Sequence, residues 1–147
     1  MTAHFNRNSA SLGPLVDEYG PDRLQTASCD LTDEKAVVAY FSSISSNKGP
    51  VSILIVNHAI YKTEHVPFED MSLDQWTSTL DSNLTSSFLV AREYLRQLKE
   101  ASEKVKTSAS IMFIGSTAGI FGEAYHADYS ASKSGKLTLS LSIPINY

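Results

Sequence analysis

Two short runs of nearly continuous apolar residues do most to restrict the folds open to this chain. They are residues 51–56 (Val-Ser-Ile-Leu-Ile-Val) and residues 109–114 (Ala-Ser-Ile-Met-Phe-Ile). Such runs are expected of strands in a parallel sheet, covered on both faces by crossover helices. The intervening sequence agrees. Leu12, Leu15, Val16 and Tyr19 fall at helical spacing, and Gly20-Pro21 stops that helix. Thr32 is placed to cap a second helix, with Asp33 and Glu34 in its first turn and Val37, Tyr40, Phe41 and Ile44 as its buried stripe. Ser72 and Gln75 form a capping box for a long helix over 72–104. Its stripe runs Trp76, Leu80, Asn83, Ser87, Ala91, Leu95 and Leu98. A last helix starts near Ala127, and Pro144 forbids its continuation. Residues 2–5 and 24–29 read as two further strands. Strands alternating with helices specify an α/β fold. With no repeat or linker, the 147 residues form one domain over 1–147.

Charge removes two classes of partner. The formal net charge is -4, and the densest basic segment, 99–106, is interrupted by Glu100 and Glu103. A surface for nucleic-acid phosphates needs clustered Lys and Arg, so no nucleic-acid partner is expected. No stretch is apolar for long enough to cross a bilayer, and no membrane partner is expected. Residues 1–7 carry no apolar signal-peptide core, and the single Cys29 cannot form an internal disulfide. Both features suit a cytoplasmic protein. The four histidines are scattered, so no metal site is expected.

Three places carry candidate chemistry. Tyr129 and Lys133 are one turn apart on a helix and share a face. A free phenol titrates near about 10, and a neighbouring ammonium favours the phenolate. Such a pair can give a proton to a carbonyl or take one from an alcohol. Ser116 follows the second apolar strand, at the carboxyl end where open α/β sheets place their ligands. Its hydroxyl can hold a substrate oxygen. Asn83 sits in the apolar stripe of the long helix, where a buried amide needs partners. Each has a plainer reading: a surface Tyr and Lys, a serine in a turn of small residues, and a core asparagine bonded to a carbonyl.

Taken together, these residues resemble the short-chain dehydrogenase/reductase family, and within it the 3-oxoacyl-[acyl-carrier-protein] reductase-like members. Tyr129-Ser130-Ala131-Ser132-Lys133 resembles the Tyr-x-x-x-Lys signature, and Ser116 precedes Tyr129 by a similar thirteen residues. Asn83 is similar to the family's helix asparagine. Asn57-His58-Ala59-Ile60 resembles its Asn-Asn-Ala-Gly motif, and Asp30-Leu31 the pair that contacts the adenine ring. The resemblance covers nearly the whole chain. It implies an NAD(P)-dependent oxidoreductase that interconverts a small-molecule alcohol and carbonyl. Tyr129 would be the acid/base, and Lys133 would lower its pKa and bind the nicotinamide ribose. Ser116 would hold the substrate oxygen, and Asn83 would anchor a water in a proton relay. Asp30, Leu31, Asn57 and Ala59 would line the cofactor. The complete parent protein would be a homo-oligomer with contacts through the long helix and the Tyr129 helix. In dinucleotide folds an acidic residue after the second strand binds the ribose 2′-hydroxyl, whereas an Arg accommodates a 2′-phosphate. This chain has Arg7 there and no acid before Asp17, which favours NADP over NAD.

The chain also departs from the family. The implied fold is a Rossmann-type doubly wound parallel sheet with strand order 3-2-1-4-5-6. No close-spaced glycine cluster precedes the first helix, so the first strand and the glycine-rich loop are expected to be missing. Strands two and four would then lack their shared neighbour and leave unpaired edges, that of strand four strongly hydrophobic. A chain with that gap is expected to be marginally stable or aggregation-prone. After Lys133 the last strands and a substrate-covering segment would also be missing, since Pro144 to Tyr147 follow soon after the helix. His58 and Ile60 replace an asparagine and a glycine of the family motif. Two other functions compete with this one. A hydrolase using Ser116, His126 and Asp128 lacks the Gly-x-Ser-x-Gly elbow. A non-catalytic module would act by dimerising with an intact homologue.

Overall fold

The computed structural model describes residues 1–144; Ile145, Asn146 and Tyr147, which belong to the C-terminal expectation above, lie outside the described residues. Strands alternate with helices as expected. Strand β1 (Thr2–Phe5) leads through a short 3-10 turn into α1 (Gly13–Tyr19), then β2 (Gln25–Ser28) and α2 (Glu34–Lys48). Strand β3 (Ile53–Val56) is followed by α3 (Leu73–Leu80), a π-helical turn (Asp81–Thr85) and α4 (Ser86–Glu100). After α5 (Glu103–Thr107) come β4 (Ser110–Phe113), α6 (Ala118–Phe121) and α7 (Ala127–Leu141).

The strands form two separate parallel pairs. β1 pairs with β2, with Thr2 opposite Gln25, and β3 pairs with β4, with Ile53 opposite Ser110. Among the described residues no strand bridges β1 and β3. This is the arrangement expected of the doubly wound order with its central position empty. Helices α2 and α4 cover one face of the β3–β4 pair. The core there joins Val37 and Phe41 of α2, Val56 of β3, and Leu89, Val90, Tyr94 and Leu98 of α4. The Tyr94 hydroxyl donates to the Ser52 and Ser110 carbonyls at 2.8 and 2.9 Å. One buried phenol thus fixes the entry of both strands and satisfies its own polar atom.

Four sequence expectations need correction. Residues 51–56 were expected to be covered on both faces, yet Ile53 and Ile55 are 61% and 57% exposed while Val56 is buried. The strand is therefore half-covered, because no helix among the described residues packs on its second face. Asp33, not Thr32, caps α2: its carboxylate accepts from the Lys35 and Ala36 amides. Thr32 instead donates to Asp30. The Ser72 hydroxyl caps α3 by accepting from the Gln75 amide, but the Gln75 side chain turns away from the box to donate to Asp128. The long helix is also not uniform: a π-helical turn widens it at 81–85, and it breaks at Ala101 before α5.

Helices α6 and α7 pack closely because Gly119 lets them. A Cβ at Gly119 would stand 2.7 Å from the Lys133 carbonyl carbon and 2.9 Å from the Ser134 nitrogen. Both are helix backbone and cannot swing aside. Gly119→Ala is expected to cost about 1–3 kcal/mol as overpacking, read as a lower thermal midpoint. A midpoint equal to the wild type would mean that α6 is free to shift.

Candidate active site

Most of the candidate residues stand at or just beyond the carboxyl ends of the strands, where open α/β sheets bind ligands. β1 runs out into Asn6-Arg7, β2 into Cys29-Asp30, β3 into Asn57-His58 and β4 into Ile114-Gly115-Ser116. Arg7 and Asp30 are both exposed. Hydrogen bonds from the Thr32 hydroxyl and amide hold the Asp30 carboxyl below its ordinary value, and the charge of Arg7 adds to this. Asn57 and Ala59 are exposed. Leu31 is not: its side chain lies in the core beside Cys29 and Val37. Of that residue, only the backbone is free to face a ligand.

Helix α7 brings Tyr129 and Lys133 to the end of β4. The buried Lys133 ammonium donates to the Ile114 and Gly115 carbonyls at 3.0 and 3.4 Å, directly before Ser116. It also lies 5.6 Å from the centroid of the Tyr129 ring. Burial pushes the Lys133 amine below its ordinary value. Among the described residues no hydrogen bond joins the Tyr129 hydroxyl to Ser116 or Lys133. The Ser116 hydroxyl accepts from the Ala118 amide at 3.2 Å, in the turn that starts α6.

Asn83 is fully buried in the π-helical turn. Such turns are rare and favour functional sites. Its Oδ1 accepts from the Ile60 amide at 2.7 Å, and its Nδ2 donates to the Ile60 carbonyl at 2.9 Å and to Ser132 Oγ at 3.0 Å. Ser132 in turn donates to the Tyr129 carbonyl at 2.7 Å. One amide therefore ties the loop after β3 to the helix bearing Tyr129. Both amide hydrogens are used in doing so, leaving one lone pair of Oδ1 for any water.

Several further residues meet here; of these, Lys136, Tyr61, His65 and Tyr125 carry no expectation from the sequence. Lys136, one turn past Lys133, is fully buried and donates to the His58 carbonyl at 3.1 Å. The His58 ring pairs with Ser86 Oγ at 2.7 Å. Burial, and then the charge of Lys136, push its imidazole down to about 4, so it is neutral at neutral pH. The Tyr61 hydroxyl donates to Glu123 at 3.0 Å and lies 3.1 Å from His126 Nε2, while its ring meets that of Tyr129 edge-on at 4.9 Å. His65 stacks on Tyr125, which holds a strained φ of 65°. The buried Asp128 accepts from Thr79 and Gln75 and locks α3 to α7. Burial pushes its carboxyl up, but these bonds and backbone amides more than offset that, and the net shift is downward. Asp128 and His126 therefore serve different partners, and neither meets Ser116, so the hydrolase triad is not assembled.

One signal for Lys136 was present in the sequence. Tyr129, Ser132, Lys133 and Lys136 form a polar stripe at spacings of three and four, which a solvated helix face does not require. Tyr61, His65 and Tyr125 left no such signal, because loop residues carry no periodicity.

Comparison with known proteins agrees with this geometry. The pattern of the short chain dehydrogenase family matches residues 2–144. The 3-oxoacyl-[acyl-carrier-protein] reductase MabA of Mycobacterium avium is 32% identical over 123 residues, which is 84% of this chain and 46% of that protein. The acetoacetyl-CoA reductase of an Acinetobacter species is 32% identical over 106 residues, 72% of this chain and 40% of that protein. A short chain dehydrogenase from Mycobacterium smegmatis superposes with a TM-score of 0.80 at 22% identity, covering 94% of this chain and 55% of the other. The chain thus spans about half the length of the curated relatives it matches. Its α/β architecture with parallel strands is that of part of a Rossmann-type domain. Among the described residues no helix is long and apolar enough to cross a membrane. A family match over residues 2–144, nearly the whole chain, makes this chain a member of the short-chain dehydrogenase family.

Proposed function

We propose that this chain carries the catalytic part of an NADP-dependent oxidoreductase that interconverts an alcohol and a carbonyl. The observation that carries the proposal is the anchoring of Lys133: its ammonium is held on the Ile114 and Gly115 carbonyls, 5.6 Å from the centroid of the Tyr129 ring. An ammonium fixed there favours a developing phenolate on Tyr129. Tyr129 is the proton donor to a carbonyl being reduced, or the acceptor from an alcohol being oxidised. Ser116 holds the reacting oxygen.

The nicotinamide cofactor supplies the hydride when bound. The residues present fit its two ribose ends. Arg7 and Asp30, Asn57 and Ala59, and the buried Lys133 all stand at carboxyl ends of strands, and Arg7 favours a 2′-phosphate. The glycine turn that would cradle the pyrophosphate is not among the described residues. The reductases named above support the direction toward an alcohol.

A second reading is a non-catalytic module that dimerises with an intact homologue. A shallow groove of about 700 Å³ between α4 and α7, lined by Leu84, Phe88 and Leu139, favours it. Titration of the chain with NADPH and NADH, following nucleotide fluorescence and thermal melting, decides between them. The enzyme reading expects saturable NADPH binding, weaker NADH binding and a raised melting midpoint. No signal from either nucleotide, with co-purification of an intact homologue, would establish the module instead.

A further inference from the structure

Lys136 is outside the Tyr-x-x-x-Lys signature, yet it is the most completely buried charged side chain in the molecule: 0% exposed, against 3% for Lys133. A buried lysine without a counter-ion is rare and costly. Among the described residues Lys136 makes no ion pair. Its one partner is the His58 carbonyl, at 3.1 Å.

That partner belongs to the loop after β3. The loop is held from the helical side at His58 and Ile60. The His58 ring bonds Ser86 of α4, and the Ile60 amide and carbonyl both bond Asn83. The His58 carbonyl is the remaining polar group of that stretch reached from the helices, and only Lys136 reaches it. With all four bonds made, Asn57 and Ala59 stay exposed beyond the end of β3.

We propose that Lys136 is a positioning residue: by donating to the His58 carbonyl it fixes the loop over 57–60 in the orientation that presents Asn57 and Ala59 to the nucleotide. The presentation to nucleotide rests on the oxidoreductase reading above; the fixing of the loop does not. The groups facing the amine are Lys133 on its own helix and His58 on the loop. Burial, and then the charge of Lys133, push the Lys136 amine down to about 8. The charge of Lys136 in turn helps to hold His58 down.

The test uses the full chain and the variant Lys136→Met, which keeps the length of the side chain and removes its hydrogen bond. Three quantities are read: exchange of the Ile60 amide, titration of His58 by NMR, and NADPH affinity. Losing one hydrogen bond to a charged donor is expected to speed Ile60 exchange about tenfold or more. The His58 pKa rises toward its ordinary value, and NADPH affinity falls by a similar factor. Lys136→Arg, which keeps a donor, restores Ile60 protection. A folded Lys136→Met chain with unchanged Ile60 exchange and unchanged His58 titration overturns the proposal. Faster exchange with unchanged nucleotide affinity leaves the brace standing and overturns the assignment of this loop to the cofactor. If Lys136→Met does not fold, Lys136→Gln carries the same comparison, since its shorter amide stays polar and cannot span to the carbonyl.

Discussion

Replacing Asn83 by leucine is expected to lower the unfolding free energy by about 3 kcal/mol, close to the upper range for single substitutions. Asn83 is fully buried, and its amide satisfies the Ile60 amide, the Ile60 carbonyl and Ser132. Leucine has the same branched skeleton, is bulkier, and makes none of these bonds. Each ordinary hydrogen bond contributes about 1 kcal/mol net, and a donor left orphaned costs about 1–3 kcal/mol. For a chain of this size 3 kcal/mol is a fall of roughly 10 °C in the melting midpoint. Urea denaturation followed by circular dichroism checks it. A change under 1 kcal/mol would mean that water replaces the amide, and that Asn83 is not the joint between the loop and α7.

Tyr129→Phe is expected to do the opposite: to leave the melt unchanged and abolish most of the chemistry. Among the described residues the Tyr129 hydroxyl makes no hydrogen bond, so its loss removes no structural contact. The ring, which meets Tyr61 edge-on at 4.9 Å, is retained. If Tyr129 is the proton donor, kcat for NADPH-dependent carbonyl reduction falls roughly a thousandfold, within the range typical for general acids. KM changes little. Single-turnover absorbance of NADPH is the measurement. A variant that keeps its kcat would remove Tyr129 from the reaction and the oxidoreductase reading with it.

How much of this was legible in the sequence follows from which residues obey a period. The strands at 53–56 and 110–113 stood out because a buried strand is a run of β-branched and aliphatic side chains. The stripe through Asn83 and Ser87 stood out because a helix repeats every 3.6 residues. The separation of β1–β2 from β3–β4 followed from the strand order that the family resemblance implied. Tyr129, Lys133, Ser116 and Asn83 stand out as candidates only in combination. The exposure of Ile53 and Ile55 was not readable, since an apolar run looks the same whether one face or two are covered. The π-helical turn left no trace either, because one extra residue per turn alters the pattern less than ordinary variation does. The partners of Asp128 and His58 were hidden for another reason. They are set by contacts 28 to 78 residues away in the chain, and spacing within one element carries no information about them.

The two strand pairs also differ in how far apart in the chain their members lie, and this bears on the order of assembly. β1 meets β2 across 23 positions, Thr2 to Gln25, whereas β3 meets β4 across 57, Ile53 to Ser110. Bringing chain ends together costs entropy that grows with the logarithm of the separation, so the second closure is dearer by somewhat under 1 kcal/mol. The better-buried core belongs to that second pair. The pair that closes most readily is therefore the one with least to gain from closing. The N-terminal pair is expected to form early and reversibly, with commitment following when α4 brings Tyr94 onto the starts of β3 and β4.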